Sequence, residues 1–315
     1  MANIALTDHR APDTLPLRAP VTPFTVTVVI PTLNECQAIG LVIDELNKEK
    51  LHNILVVDGH SEDGTAEIAL AKGAKVIQQH GVGKAGALDT AAGYVTTPYM
   101  LVLDGDGTYP AADARKLFAH GMDFDEVIGA RTYGRENIPR VNRFGNRLIS
   151  RVFKLLFGVP ITDVLSGMYL LRTERVREMG ISSASFDVEV EMASNIAATG
   201  GLAQVPIGYR PRIGKEKLNT GSGPRIFSTL FWMAYYNNPL LLFGGLIALC
   251  AVPAAAVLVY TAYADIVLGA WHSGYALLGI TLLLLATQGA AIAMLALLMK
   301  RSESRILREL KRITR

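Results

Sequence analysis

The sequence predicts an α/β protein, with a mainly parallel sheet carrying helices on both faces, followed by juxtamembrane helices and a two-helix transmembrane hairpin. Three observations carry this. Short β-branched runs alternate with helix-spaced segments between Thr25 and about Arg212, the pattern of successive strand–helix–strand units. Acids and glycines gather directly after those strands. From Pro239 through Met299 the only charged residue is Asp265, an apolar length that fits two crossings of a hydrocarbon layer.

Taken in chain order, residues 1–24 carry Pro12, Pro16, Pro20 and Pro23 and no apolar signal core, so a mobile leader is expected rather than a cleaved signal. Residues 25–223 form the cytosolic α/β domain. Its strands are expected at Val26 to Ile30, Ile54 to Val57, Lys75 to Ile77 and Tyr99 to Leu103, and helical spacing appears at Ala38 to Leu46 and Thr65 to Ala71. Residues 224–238, with Phe227, Phe231, Trp232, Tyr235 and Tyr236, read as a juxtamembrane amphipathic helix.

Residues 239–299 hold two apolar runs, Leu240 to Ala264 and Gly274 to Met299, each longer than the ~20 residues that span a bilayer. Pro253 is expected to kink the first. The connector Asp265 to Ser273 has no Lys or Arg, whereas Lys300, Arg301, Arg305 and Arg308 follow the second run, so the positive-inside bias puts both ends in the cytoplasm. Tyr260, Tyr263, Trp271 and Tyr275 mark the opposite interface. The tail, 300–315, is a basic amphipathic helix that either lies on an anionic leaflet or stands in solvent. Cys36 and Cys250 fall in a reducing loop and a membrane helix, which excludes a disulfide.

Charge sorted by position sharpens this. The 315 residues carry 31 basic and 28 acidic side chains, a formal +3, and half of them are hydrophobic. The tail holds seven bases and two acids, so the soluble part is −1, the apolar stretch −1 and the tail +5. A basic excess confined to a short tail excludes a nucleic-acid-binding domain.

Ligands of parallel sheets sit beyond the carboxyl ends of the strands. The segments there are Pro31-Thr32-Leu33-Asn34-Glu35, Asp58 to Thr65, and Asp104-Gly105-Asp106-Gly107-Thr108-Tyr109-Pro110. No GxxxxGK[ST] occurs and no GxGxxG follows the first strand, so a nucleotide would be held without those phosphate cradles. Two aspartates one residue apart offer oxygens to a hard divalent cation, although a turn capped by Asp uses the same residues.

Nine segments in order, VVIPTLNE, VVDGHSEDGT, GKAGAL, LDGDGTYP, VIGAR, NRFGNRLIS, TDVLSGM, FDVEVEM and PIGYRPRIGKEKL, resemble family 2 glycosyltransferases of the Rossmann-like GT-A fold. The similarity is to the branch of dolichol-phosphate mannose synthases and other polyprenyl-phosphate glycosyltransferases. The resemblance implies that Pro31, Thr32, Leu33 and Glu35 line the base and ribose pocket, that Asp58 accepts from the base, and that Lys84 and Gly105 lie at the nucleotide phosphates. It implies Mg²⁺ or Mn²⁺ on Asp104 and Asp106, with Thr108 in the position where the branch usually has Gln. Arg131 and Arg143 match the arginines that hold an acceptor phosphate, Asp163 sits near sugar and acceptor, and Glu189 and Glu191 match an acidic element. Arg210, Arg212 and Lys217 fall in a loop that closes over the diphosphate. His60 and His80 have no counterpart.

The implied activity is inverting transfer of a hexose from a GDP- or UDP-linked donor to the phosphate of a polyprenyl or dolichyl phosphate at the cytoplasmic face of a bilayer. A lipid monophosphate has a second pKa near 6 and attacks without a general base. A processive polysaccharide synthase is a poorer match, since no QxxRW occurs, and a membrane-anchored sugar-nucleotide scaffold without turnover is the rival from another class. Sugar, nucleotide, lipid length and homo-oligomerisation are left open by the motifs.

Overall fold

The structure is a computed structural model that describes residues 19–181, 188–197, 201–214, 228 and 239–313. It divides into two compact units, Met1–Leu230 and Phe231–Arg315.

In the first unit the chain alternates β1 (Val26–Thr32), α1 (Ile39–Lys48), β2 (Ile54–Asp58), α2 (Thr65–Ala71), β3 (Lys75–Gln78), α3 (Gly83–Tyr94) and β4 (Tyr99–Val102). There follow α4 (Ala114–Phe118), β5 (Glu126–Tyr133), α5 (Arg140–Phe157), β6 (Tyr169–Arg172), α6 (Thr173–Met179), α7 (Val188–Ala197) and β7 (Leu202–Gly208). The seven strands form one sheet in the order β3-β2-β1-β4-β6-β5-β7. Only β6 runs against its neighbours β4 and β5; the other pairs are parallel.

β1 and β2 are buried on both faces, as expected of β-branched runs covered by helices. The edge strand β3 is partly exposed. Ile39, Ile43 and Leu46 of α1 pack with Val28, Ile30 and Val56 in the core. The strand order reverses between β1 and β4, so a crevice opens beyond their carboxyl ends. Register places Thr32 beside Asp58 there, and Asp104 follows β4 by two residues.

The expected strands and the first two helices are present, while β5 to β7 complete the sheet beyond the four runs that the sequence marks. Ala19 to Phe24 are held down, with Tyr99 Oη donating to the Ala19 carbonyl at 2.7 Å, Thr25 Oγ1 to that of Pro20 at 2.8 Å, and Val21 packing on the core. Residues 1–18 lie outside the described residues.

The second unit is an antiparallel helix pair, α8 (Pro239–Leu268) and α9 (Ser273–Ile313). Phe243–Leu268 and Ser273–Leu295 are long and apolar enough to cross a membrane. Small residues let the two approach: a Cβ on Gly279 would come within 2.6 Å of the Leu258 side chain, and Ala254, Ala264, Ala286 and Ala293 are buried. Asp265 lies in the last turn of α8 rather than in the connector. Gly269, at φ +62, ends that helix as a left-handed cap. α9 runs unbroken to Ile313, 41 residues or about 60 Å at 1.5 Å per residue, so the basic tail continues the second apolar helix instead of forming a separate one. Of the expected juxtamembrane helix, 224–238, only residue 228 is described.

Candidate active site

The three segments beyond β1, β2 and β4 are laced together by backbone and side-chain bonds. Asn34 N donates to Ser61 Oγ at 2.8 Å, Glu35 N to Thr65 Oγ1 at 2.8 Å and Cys36 N to Asp63 Oδ2 at 3.1 Å. Burial works against the Asp63 charge, but bonds from Thr65 and Cys36 outweigh it and bring its pKa down to about 2. Asn34 adopts φ +52, a left-handed conformation that Asn tolerates, and this turns Glu35 back toward the crevice.

Asp58 is wholly buried, and its oxygens accept from Ser61 N, Ser61 Oγ and Gln78 Nε2. Three of about four acceptor positions are therefore filled by the protein. These bonds make Asp58, which the resemblance implies accepts from a base, the post that shapes the β2–α2 loop. Thr32 Oγ1 is buried without a partner, whereas Leu33 is exposed beside it.

The Asp104-Gly105-Asp106 turn fits against β1 so closely that a Cβ on Gly105 would lie 2.8 Å from Thr32 Cγ2. Lys84, in the first turn of α3, binds Asp104 Oδ1 at 2.6 Å and Glu189 Oε1 at 2.8 Å. Burial opposes its charge, yet those two carboxylates raise the Lys84 pKa well above the ordinary lysine value. Asp104 Oδ2 has no hydrogen-bond partner among the described residues. It rests against Gly167, where a Cβ would come within 2.0 Å of it; Gly167 N in turn donates to Tyr109 Oη at 2.7 Å.

Asp106 is buried and turned by Thr108, whose N and Oγ1 both donate to Asp106 Oδ1, at 3.1 and 2.6 Å. Thr108 is 1% exposed, and its hydroxyl orients Asp106. On the other oxygen, Arg212 Nη1 binds Asp106 Oδ2 at 3.0 Å, and Arg212 Nη2 binds Glu35 Oε1. The segment around Arg212 covers the turn: Arg210 N donates to the Thr108 carbonyl and Ile213 N to that of Asp106. Arg210 itself reaches outward to Glu45 at 2.6 Å. Lys217 lies outside the described residues, as do Phe186 and Asp187.

Arg131 and Asp163 form a buried pair. Arg131 Nε and Nη2 take the two Asp163 oxygens, each at 2.7 Å; the Arg131 backbone N adds a third bond at 3.0 Å and Nη2 also reaches the Leu165 carbonyl. The Tyr209 ring stacks 5.4 Å from the guanidinium. Burial opposes the charge, and Tyr109 and Asp163 nevertheless raise the Arg131 pKa well above the ordinary arginine value. Arg131 thus keeps only Nη1 without a partner among the described residues. Arg143, on α5, donates Nη2 to the Ile138 carbonyl at 3.0 Å and holds its Nε buried and unpartnered. Further along α5, Arg140, Arg147, Arg151 and Lys154 are exposed together with Val141, Phe144 and Leu155.

Among the described residues, four carboxylates (Glu35, Asp104, Asp106 and Glu189) are linked to the cations Lys84 and Arg212. Among the described residues no three acidic, His or Cys side chains converge into a metal cage. Two carboxylates that leave the remaining positions to water and substrate phosphates are what Mg²⁺-type sites commonly use, so the donor set fits such an ion.

The sheet order, the reversal at β1/β4 and the aspartate pair at the carboxyl edge define a GT-A glycosyltransferase fold. Residues 27–179 match the family model "Glycosyl transferase family 2". Glycosyltransferase AglJ of Haloferax volcanii is 36% identical, covering 85% of this chain and 91% of that protein. A dolichyl-phosphate hexose transferase of the same organism is 35% identical over 62% of this chain and 87% of its own length. Among solved structures, glucosyl-3-phosphoglycerate synthase from Mycobacterium tuberculosis, in complex with Mn²⁺, UDP-glucose and phosphoglyceric acid, shares the fold at TM-score 0.53 and 22% identity. That match covers 67% of this chain and 79% of the other. Mannosyl-3-phosphoglycerate synthase from Rubrobacter xylanophilus aligns at TM-score 0.53 and 21% identity, over 70% and 74% of the two chains. The chain belongs to glycosyl transferase family 2.

Proposed function

We propose that this glycosyltransferase is membrane-bound and transfers a hexose, with inversion, from a nucleoside-diphosphate sugar to the phosphate of a polyprenyl or dolichyl phosphate. The observation that carries the reading is the cluster of carboxylates around the Asp104/Asp106 turn at the β1/β4 crevice, in a chain with two apolar helices of spanning length. The dolichyl-phosphate hexose transferase relative supports the acceptor, and the Mn²⁺ and UDP-glucose complex of the structural neighbour supports the donor class. Residues 25–223 are the catalytic domain on the cytoplasmic side, with 224–238 along the interface and the tail 300–315 also cytoplasmic.

Pro31, Thr32, Leu33 and Glu35 receive the base and ribose, and the unpartnered Thr32 hydroxyl is a ready donor. Lys84 and Arg212 neutralise the diphosphate, Arg212 by turning from Asp106 to the phosphate oxygens. Asp104 Oδ2 and Asp106 Oδ2 would hold Mg²⁺ or Mn²⁺, with Thr108 fixing Asp106. Such an ion, when bound, neutralises charge that develops on the leaving diphosphate. The acceptor phosphate is held by Arg143 Nε and Arg131 Nη1, while Asp163 fixes the Arg131 guanidinium in place. Its oxygen, already anionic at neutral pH, attacks the anomeric carbon as the bond to the diphosphate breaks. Catalysis rests on orientation and charge rather than on a proton shuttle. The exposed cationic and apolar residues of α5 suit a leaflet of anionic headgroups beside the acceptor.

The test is a transfer assay with the full chain in vesicles, offering radiolabelled UDP-glucose, UDP-N-acetylglucosamine and GDP-mannose with polyprenyl phosphate and Mn²⁺. Label entering the organic phase from one donor is expected, with loss on Asp106→Asn while thermal unfolding is preserved. No transfer from any donor, or normal turnover by Asp106→Asn, overturns the assignment.

A further inference from the structure

We propose that the outward face of α9 is a self-association surface, at which Gln288 pairs with Gln288 of a second copy of this chain inside the membrane. The inference rests on the reading of α8 and α9 as membrane spans. Gln288 lies within about 3 Å of the midpoint between Ser273 and Lys300 at 1.5 Å per residue. Its side chain is exposed and makes no hydrogen bond among the described residues. The threonines nearby differ in this respect. Thr281 and Thr287 are satisfied by carbonyls of their own helix, Leu277 and Leu284, at 2.8 Å, and Thr261 by Val257. A carboxamide left bare in hydrocarbon is costly, and polar side chains at such depth usually bond across a helix interface.

The surrounding residues supply that interface. Gly274, Thr281, Gln288 and Leu295 recur every seven residues, and Leu277, Leu284, Ala291 and Leu298 follow each by three. All eight are exposed. This is a heptad seam in which Thr281 is satisfied within its own helix and Gln288 is the polar position left to bond across, the arrangement that sets register in paired helices. It stands apart from the face that meets α8. Gly279, Ala286 and Ala293 occupy that face, about 160° round the helix at 100° per residue.

A second copy is the occupant the chemistry favours. An amide carries both donor and acceptor, so two Gln288 side chains related by a two-fold axis along the membrane normal satisfy each other reciprocally. Two copies of one chain share their orientation in the bilayer, and this brings the amides to the same depth without further adjustment.

The experiment uses the full chain in native membranes, in a Cys36→Ser, Cys250→Ala background. Leu284→Cys, on the seam, is expected to form an oxidative dimer of twice the 34.0 kDa chain mass; Leu283→Cys, exposed on another side of α9, is not. Adding Gln288→Leu should raise the dimer dissociation constant in detergent on the order of 3- to 30-fold, and Gln288→Asn should restore most of the affinity. Equal cross-linking at both positions, an adduct of a different mass, or an unchanged constant in Gln288→Leu overturns the proposal. Retention of the chain in membranes after carbonate washing is scored separately; its loss overturns the spanning reading, and the seam with it.

Discussion

Replacing Asp163 with Asn tests the buried clamp behind the proposed acceptor site. Asp163 receives three bonds from Arg131, two at 2.7 Å and one at 3.0 Å, and the paired side chains are 8% and 6% exposed. Asn keeps the shape but removes the charge and turns one acceptor into a donor facing a guanidinium. Breaking one side of a buried pair leaves an uncompensated charge and costs ~3–5 kcal/mol. For a domain of this size each kcal/mol moves the melting temperature by about 2–4 °C, so a fall of about 6–20 °C is expected for the catalytic domain's transition. The double variant Arg131→Met, Asp163→Leu removes both charges and should regain most of that loss, because a well-packed apolar replacement of a buried pair is often neutral. Transfer activity should stay low in the double variant, since the Nη1 donor is gone. Differential scanning calorimetry of the detergent-solubilised chain, with labelled-donor transfer on the same samples, reads both. A melting temperature for Asp163→Asn within about 2 °C of the parent, or activity restored along with stability in the double variant, would refute the reasoning.

Three further predictions concern the crevice and the core beneath it. Gly167→Ala places a methyl where Asp104 Oδ2 lies, 2.0 Å away, so turnover should fall on the order of 10²-fold with little change in melting temperature; full turnover in a steady-state assay would contradict it. Arg212→Gln removes a unit charge that competes for Asp106. Mn²⁺ affinity without nucleotide, measured by paramagnetic resonance of the free ion, should rise on the order of tenfold, contact-range charge pairs being worth ~1–4 kcal/mol, while transfer slows. Glu126 is buried with Oε2 unpartnered; burial, reinforced by the Glu189 charge, lifts its carboxyl well above the usual range. The folded state therefore keeps its proton, and stability declines as pH rises above the unfolded value of ~4.3 toward that raised pKa. In Glu126→Gln that decline is absent, so the gap in melting temperature between variant and parent should widen from pH 5 to pH 8; a constant gap sinks the assignment.

The left half of the sheet and the apolar helix pair were legible because their signals are local. β-branched runs followed by Gly, Asp and Asn mark β1, β2 and β4, and charge depletion marks α8 and α9. The right half was less so. β6 has four residues and runs antiparallel, and its Leu171 pairs with Glu126 of β5, 45 positions away, a pairing that no short-range pattern encodes. In the candidate site, which residues gather was readable from the ordered segments, but their pairing was not. Asp163 to Arg131 and Glu35 to Arg212 are long-range matches. Glu189 as the second partner of Lys84 carried one local hint, an acidic helix start. That Asp58 is buried and bonded within its own loop was not readable either, because a buried carboxylate and an exposed one read alike in sequence.

The bridge from Arg212 to Glu35 and Asp106 also bears on selectivity. A pair of bare carboxylates would gather whatever divalent cation is abundant and hold it in an unproductive complex. In the proposed metal-dependent transfer, with a tethered guanidinium already seated there, a free ion would have to evict it unaided, whereas an ion arriving on a diphosphate would bring with it the anion that the displaced arginine can grasp. The exchange then conserves charge, and the chain's own side chain acts as a toll on the wrong arrivals.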